Sequence, residues 1–175
     1  MNNTRRGNKM KKCILYGVNN NYEVLTYLYS SIWTLVNTTD NIDFDIVVIG
    51  HKIEPFKDRL LEIYPNIKFI DLIGSKYEHD FDELVKKYTG TRFSESCFFR
   101  YLMFHDDFRY AYDKIIYLDC DTEIFMDIHE LFNQDMKDGI VGMREEHSNF
   151  GRMVANHFYC NSGIILFDSY KSRQV

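Results

Sequence analysis

The chain has 175 residues, 45% hydrophobic and 16% aromatic, which is enough apolar surface for a folded core and too much for a disordered chain. The net charge is −5. Five bases (Arg5, Arg6, Lys9, Lys11 and Lys12) precede the first acid, Glu23, so the body carries 16 bases against 26 acids, which argues against a nucleic-acid binder.

Residues 1–11 read as a basic, flexible leader. A sharper reading is weak peripheral contact with anionic lipid, worth on the order of 1 kcal/mol per charge. No apolar run nears the ~18 residues of a membrane span, and the polar start does not resemble a signal peptide, so a cytoplasmic protein is expected.

From residue 12 to 175 strand and helix signals alternate within one expected domain. Lys12–Val18 is a strand candidate, and Asn19-Asn20-Asn21 a turn. Tyr22–Val36 carries Leu25, Leu28, Ile32 and Leu35 at helical spacing. Phe44–Ile49 is a second apolar run stopped by Gly50. Pro55–Tyr64 suits a short helix, with Pro55 in its first turn and Pro65 past its end. Ile67–Ile70 is a third strand, and Phe81–Tyr88 a helix closed by Gly90.

Ser94–Phe108 reads as one helix capped by Ser94 or Ser96, with Phe98, Tyr101, Leu102, His105 and Phe108 on a shared face. The strand around Ile115 follows, then a short helix Ile128–Phe132 and strands at Ile140–Met143 and Ser162–Phe167. This alternation predicts an α/β fold, Rossmann-like, with a mainly parallel central sheet and helices on both faces.

The chemistry gathers where such a sheet's strands end. The run Lys114 to Leu118 leads into Asp119-Cys120-Asp121. Alternate side chains of an extended chain share a side, so the two carboxylates are expected to face one point. Two hard oxygen donors suit Mn²⁺ or Mg²⁺, the metals that accompany phosphates. The bland alternative is a solvated strand-end turn. Cys120 is expected to point into the core.

Cys13, Cys97, Cys120 and Cys160 form no C-x-x-C pair, which argues against structural zinc and for free thiols. The turn Asn19-Asn20-Asn21-Tyr22 offers amides for a base edge and a ring for stacking, although Asn is also a common turn and cap residue. Arg100 is placed to reach the mouth of the Asp-x-Asp strand and grip a diphosphate. In Asn161-Ser162-Gly163, glycine allows a close approach and asparagine supplies donor and acceptor; a bulge or turn is the alternative. His147 and His157 read as loop residues or ligands.

Tyr117-Leu118-Asp119-Cys120-Asp121-Thr122-Glu123, followed by Asp127-Ile128-His129-Glu130-Leu131-Phe132, resembles the metal-binding motif of family 8 glycosyltransferases, retaining enzymes with the GT-A fold. Ile14 to Tyr22 resembles the family's uridine-binding first strand and turn. Ser96 to Leu102 resembles the helix with the phosphate-contacting arginine, here Arg100, and Asn161 to Leu166 the Asn-Ala-Gly strand near the donor sugar. The likeness runs from about Cys13 to Tyr170.

The resemblance implies metal-dependent transfer of a hexose from a UDP-sugar to a hydroxyl acceptor with retention. It implies Asp119 and Asp121 as metal ligands, and these two with Arg100 and Asn161 as the catalytic set. It also implies a nucleotide-sugar pocket using Val18, Asn19, Asn21 and Tyr22 on one side. On the other are Arg100, Leu118, Asp119, Cys120, Asp121, Asn161 and Ser162.

The family often has Asp where Asn19 or Asn20 stands. A late His-x-x-Gly-x-x-Lys-Pro-Trp motif, source of the family's third metal ligand, does not occur before Val175, so an amino-terminal portion, or a protein with a shortened carboxyl end, is expected. A nucleotide-sugar-binding module without turnover is the alternative. A sugar nucleotidyltransferase is disfavoured, because Asn19-Asn20-Asn21 stands where a Gly-rich basic loop would be.

Overall fold

Six strands form one mixed sheet in the order β3-β2-β1-β4-β6-β5. The computed structural model describes residues 9–87, 95–145 and 160–175. The strands are β1 (Lys12–Val18), β2 (Asp45–Gly50), β3 (Lys68–Asp71), β4 (Lys114–Leu118), β5 (Val141–Glu145) and β6 (Cys160–Phe167). The pairs β1–β2, β2–β3 and β1–β4 are parallel; β4–β6 and β5–β6 are antiparallel. The expected α/β, mainly parallel sheet is present, with its antiparallel part confined to the β6 side.

Strand periodicity builds two cores. Ile14, Tyr16 and Val18 of β1 pack with Ile46, Val48, Ile116 and Leu118 on one face. Against them lie Leu25, Leu28, Ile32 and Leu35 of α1 (Tyr22–Thr38), Leu60 of α2 (Lys57–Ile63), and Phe132. Cys13 and Leu15 face the other way with Val47, Ile49, Ile115 and Tyr117, under Phe81 of α3 (Glu78–Lys87). Apolar side chains on both faces explain why these strands read as unbroken hydrophobic runs.

The single helix expected over Ser94–Phe108 is two elements. Residues Glu95–Phe104 form a 3₁₀ segment, and α4 (Asp106–Ala111) starts afresh. His105 between them is extended (φ −62°, ψ 143°), and its Nδ1 accepts from the Asp107 N–H at 3.2 Å, capping α4. At three residues per turn, positions three apart eclipse. Phe99 and Leu102 therefore share the buried row, while Tyr101 and Phe104 are turned outward, so the predicted common face for Tyr101 and His105 is replaced. The segment lies so close to β1 that a Cβ on Gly17 would fall 2.5 Å from the Phe99 Cβ. Ser94, Gly90, His147 and His157 lie outside the described residues.

The last helices are α5 (His129–Phe132) and α6 (Ser169–Ser172). His129 holds α5 to the loop before β2: Nδ1 is 2.7 Å from Asp127 Oδ1 and Nε2 is 2.9 Å from Asp43 Oδ1. Lys12 Nζ meets Asp43 Oδ1 at 2.6 Å, and Lys9 approaches Oδ2 at 3.4 Å. This end of the expected leader is therefore tied to the body. No helix among the described residues is long and apolar enough to cross a membrane.

Two predictions follow from this packing. Gly17→Ala is expected to lower unfolding free energy by about 1–3 kcal/mol in urea titrations, because the added methyl overpacks Phe99; unchanged stability would contradict the close fit. Burial pushes the Asp43 carboxyl up, but hydrogen bonds from Lys12 and His129 outweigh burial and hold it well below the usual carboxylate range. Such a group stabilises the fold above its unfolded-chain pKa, near 3.9, and that stability is lost as pH falls through the depressed folded value. Asp43→Asn should flatten the decline of stability below about pH 4, and an acid limb identical to wild type would contradict it.

Candidate active site

β4 ends at Leu118, and its next residues form a turn closed by the Thr122 N–H on the Asp119 carbonyl at 3.1 Å. The two aspartates thus sit in a turn rather than on an extended strand. They still line one cleft, of about 510 Å³, with Thr122, Arg144, Glu145, Asn161, Gly163 and Ile164. Cys120 between them is 8% exposed and sends its Sγ 3.2 Å from the Gly17 carbonyl. Burial, with the two aspartate charges adding to it, pushes its thiol up to about 12, so it stays protonated and inert.

Asp119 is the most supported group of the cleft. Its Oδ1 accepts from the Tyr117 hydroxyl at 2.8 Å and from Arg100 Nη2 at 3.1 Å. Tyr117 is two residues back on β4, hence on the same side, and burial followed by the Asp119 charge keeps its phenol protonated. The Arg100 guanidinium lies 5.0 Å from the Tyr117 ring centroid. Among the described residues Asp119 Oδ2 accepts no hydrogen bond. It stands 2.8 Å from where a Gly163 Cβ would be, so only glycine leaves the carboxylate its place.

Arg100 spans from the 3₁₀ segment to β6. Nε donates to the Cys97 carbonyl at 2.8 Å, and Nη1 donates to the Ser162 carbonyl at 2.6 Å and to Ser162 Oγ. With Nη2 on Asp119, one of the five guanidinium N–H groups remains for a ligand. In this arrangement Arg100 positions Asp119, where the sequence suggested a free fork for a diphosphate.

Ser162 and Gly163 belong to a bulge. β5 and β6 pair regularly from Val141↔Phe167 to Met143↔Ile165, and the register then jumps to Arg144↔Asn161. The freed backbone of β6 turns to β4: the Gly163 carbonyl accepts from the Asp119 N–H at 2.7 Å, and the Gly163 N–H donates to Asn161 Oδ1 at 2.8 Å.

The remaining expected residues divide. Val18 and Leu118 have fully buried side chains, so they offer a ligand only backbone. Asn19 Oδ1 accepts from the Asn21 N–H at 3.1 Å, and Asn21 Oδ1 accepts from the Glu23 N–H at 2.9 Å as the cap of α1. Tyr22 is 68% exposed and lines a separate groove with Tyr29, Phe56 and Arg59. The structure therefore brings Asp119, Asp121, Asn161, Ser162 and Arg100 together, while the Asn19–Tyr22 turn stands at the neighbouring strand end. Tyr117 and Thr122, which support or line the cleft, lie inside the quoted Asp-x-Asp stretch although no role was assigned to them. Arg144 and Glu145 join the cleft with no signal in the sequence.

No group of three or more His, Cys, Asp or Glu residues able to hold a metal occurs among the described residues. Two carboxylates are nevertheless a fitting donor set for a small hard cation that takes its other oxygens from phosphates and water.

The fold is the GT-A type of glycosyltransferase architecture. The chain belongs to glycosyl transferase family 8, whose model matches residues 13–175. Solved structures agree on the fold. Mouse xyloside xylosyltransferase 1 is 18% identical with a TM-score of 0.71, over 95% of this chain and 69% of that one. The galactosyltransferase LgtC, solved with donor and acceptor sugar analogues, is 19% identical with a TM-score of 0.68, over 93% and 60%. The bifunctional glycosyltransferase WbbM is 19% identical with a TM-score of 0.68, over 94% and 32%. The chain thus spans about a third of WbbM and three-fifths of LgtC. Among curated proteins no match is found.

Tyr117→Phe is expected to cost about 1.5–3 kcal/mol of stability, the worth of a buried hydrogen bond to a charged group. Urea unfolding checks it; a change below 0.5 kcal/mol, on the order of a neutral surface substitution, would show that Asp119 does not depend on the hydroxyl.

Proposed function

We propose that this chain carries the donor-binding part of a retaining glycosyltransferase, which transfers a hexose from a UDP-sugar to a hydroxyl acceptor with the help of Mn²⁺ or Mg²⁺. One observation carries the reading: in a family 8 chain, Asp119 and Asp121 open onto a single cleft with Asn161 and Gly163 at the end of the sheet.

The difficulty of the reaction is the charge of the leaving group. As the glycosidic bond breaks, negative charge grows on the β-phosphate of UDP. A divalent cation held by Asp119 and Asp121 would supply fixed positive charge where that anion forms. The protein's own part is preorganisation. Tyr117 and Arg100 fix Oδ1 of Asp119, leaving Oδ2 for the ligand side. The last free N–H of Arg100 is available to a phosphate oxygen. Asn161, pinned through the Gly163 N–H, lines the cleft and has an amide suited to donate to or accept from sugar hydroxyls. Asn19 and Asn21 have amides suited to a uracil edge, and exposed Tyr22 has a face on which a base can stack.

Losing about 4 kcal/mol of leaving-group stabilisation would slow transfer about 10³-fold. Asp121 is exposed and outside the packed core, so Asp121→Ala should leave the fold intact. It is expected to abolish Mn²⁺-dependent UDP binding in calorimetry, and unchanged affinity would refute the ligand role. In a thermal-shift panel, UDP-sugars should raise the melting point only with metal, by mass action on the folded state. An equal response to GDP-mannose would contradict the uridine preference.

A further inference from the structure

The one basic group among the described residues of the cleft wall has no part in that chemistry. Arg144 is exposed on β5, and among the described residues no carboxylate lies within ion-pair distance of it. It reaches the cleft because of the bulge. Continued regular pairing would have set Arg144 opposite Ile164; instead it stands opposite Asn161, with Ser162, Gly163 and Ile164 passed over in one step of β5. Bulges commonly re-aim a side chain beside an active site.

Its position separates it from the diphosphate. β6 lies between β4 and β5, so Arg144 is two strand spacings, roughly 10 Å, from β4, the strand that leads into Asp119. A donor anchored by its phosphates at the aspartates would present its sugar, or the acceptor that meets the sugar, on the Arg144 side. Arg100 cannot serve there, since four of its five N–H groups are engaged by the protein.

Charge points the same way. Among the described residues lining the cleft, Asp119, Asp121 and Glu145 are acidic and Arg144 alone is basic. A planar guanidinium suits a carboxylate or phosphate through paired hydrogen bonds.

We infer that Arg144 is a specificity-determining residue that receives a carboxylate or phosphate carried by the glycosyl substrate, either on the donor's sugar or on the acceptor. This rests on the UDP-sugar reading of the same cleft.

Calorimetry in Mn²⁺ on the full chain tests it in two arms. The donor arm compares UDP-glucuronate with UDP-glucose. The acceptor arm adds glucuronate, glucose 6-phosphate or glucose to protein saturated with UDP. Each arm is repeated with Arg144→Gln and Arg144→Lys, both at an exposed position. The expected result is a preference of about tenfold for the anionic probe in one arm, which names the source of the anion. That preference should fall to near unity in Arg144→Gln and be kept only in part in Arg144→Lys, which retains the charge without the fork. No preference in either arm, or one that survives in Arg144→Gln, overturns the inference while UDP binding stands. Failure of the wild-type chain to bind UDP overturns the donor-site reading and the inference with it.

Discussion

The site depends on one bridge: the Arg100 guanidinium between Asp119, just past the end of β4, and Ser162 on β6. The 3₁₀ segment, β4 and the β6 bulge are far apart in sequence, and this one side chain ties all three. A charge-assisted bond of this kind, 13% exposed at the arginine side chain and 36% at the aspartate, is more than a solvated surface pair. It fixes one carboxylate oxygen and leaves the other for chemistry. The cost is that Arg100 is largely committed, so the cleft must find further positive charge elsewhere. A cation at the aspartates and Arg144 across the cleft are the two sources that the geometry offers.

Backbone irregularity places these groups. A regular β6 would have continued its ladder with β5 past Ile165; the bulge frees Ser162 and Gly163 to face β4 instead. In the 3₁₀ segment Glu95–Phe104, Arg100 eclipses Met103, three positions further on. Gly17 and Gly163 mark the two close approaches, one beneath the 3₁₀ segment and one beneath the Asp119 carboxylate. Stability is concentrated in the two apolar layers, while the cleft sits on turns at their rim, where a ligand can reorder side chains without disturbing the core.

Much of this was legible in the residues. Apolar runs of four to seven marked the first four strands, and the Leu25–Leu28–Ile32–Leu35 spacing marked α1, because periodicity is a local property. The shared cleft of Asp119 and Asp121 and the inward Cys120 were expected from strand alternation, whereas a turn closed on the Asp119 carbonyl is what produces them. What stayed hidden was tertiary. A 3₁₀ segment and an α-helix share apolar spacing over short lengths, so the break at His105 left no pattern. The saturation of Arg100 depends on two backbone carbonyls, which carry no sequence signal. Arg144 enters the cleft only through a register jump between two strands. The turn Asn19-Asn20-Asn21 shows the reverse case: its cap and turn roles were readable, and its part in binding a base is a matter for ligand experiments.

The central claim is that Asp119 and Asp121 together clasp a divalent cation against the phosphates of a uridine nucleotide. Crystals grown with UDP and Mn²⁺, measured at the manganese absorption edge, test it most directly. The account predicts an anomalous peak at bonding distance from both carboxylates, with diphosphate oxygens completing the shell. A peak bound elsewhere, or UDP seated in the cleft with neither aspartate touching metal, would contradict it.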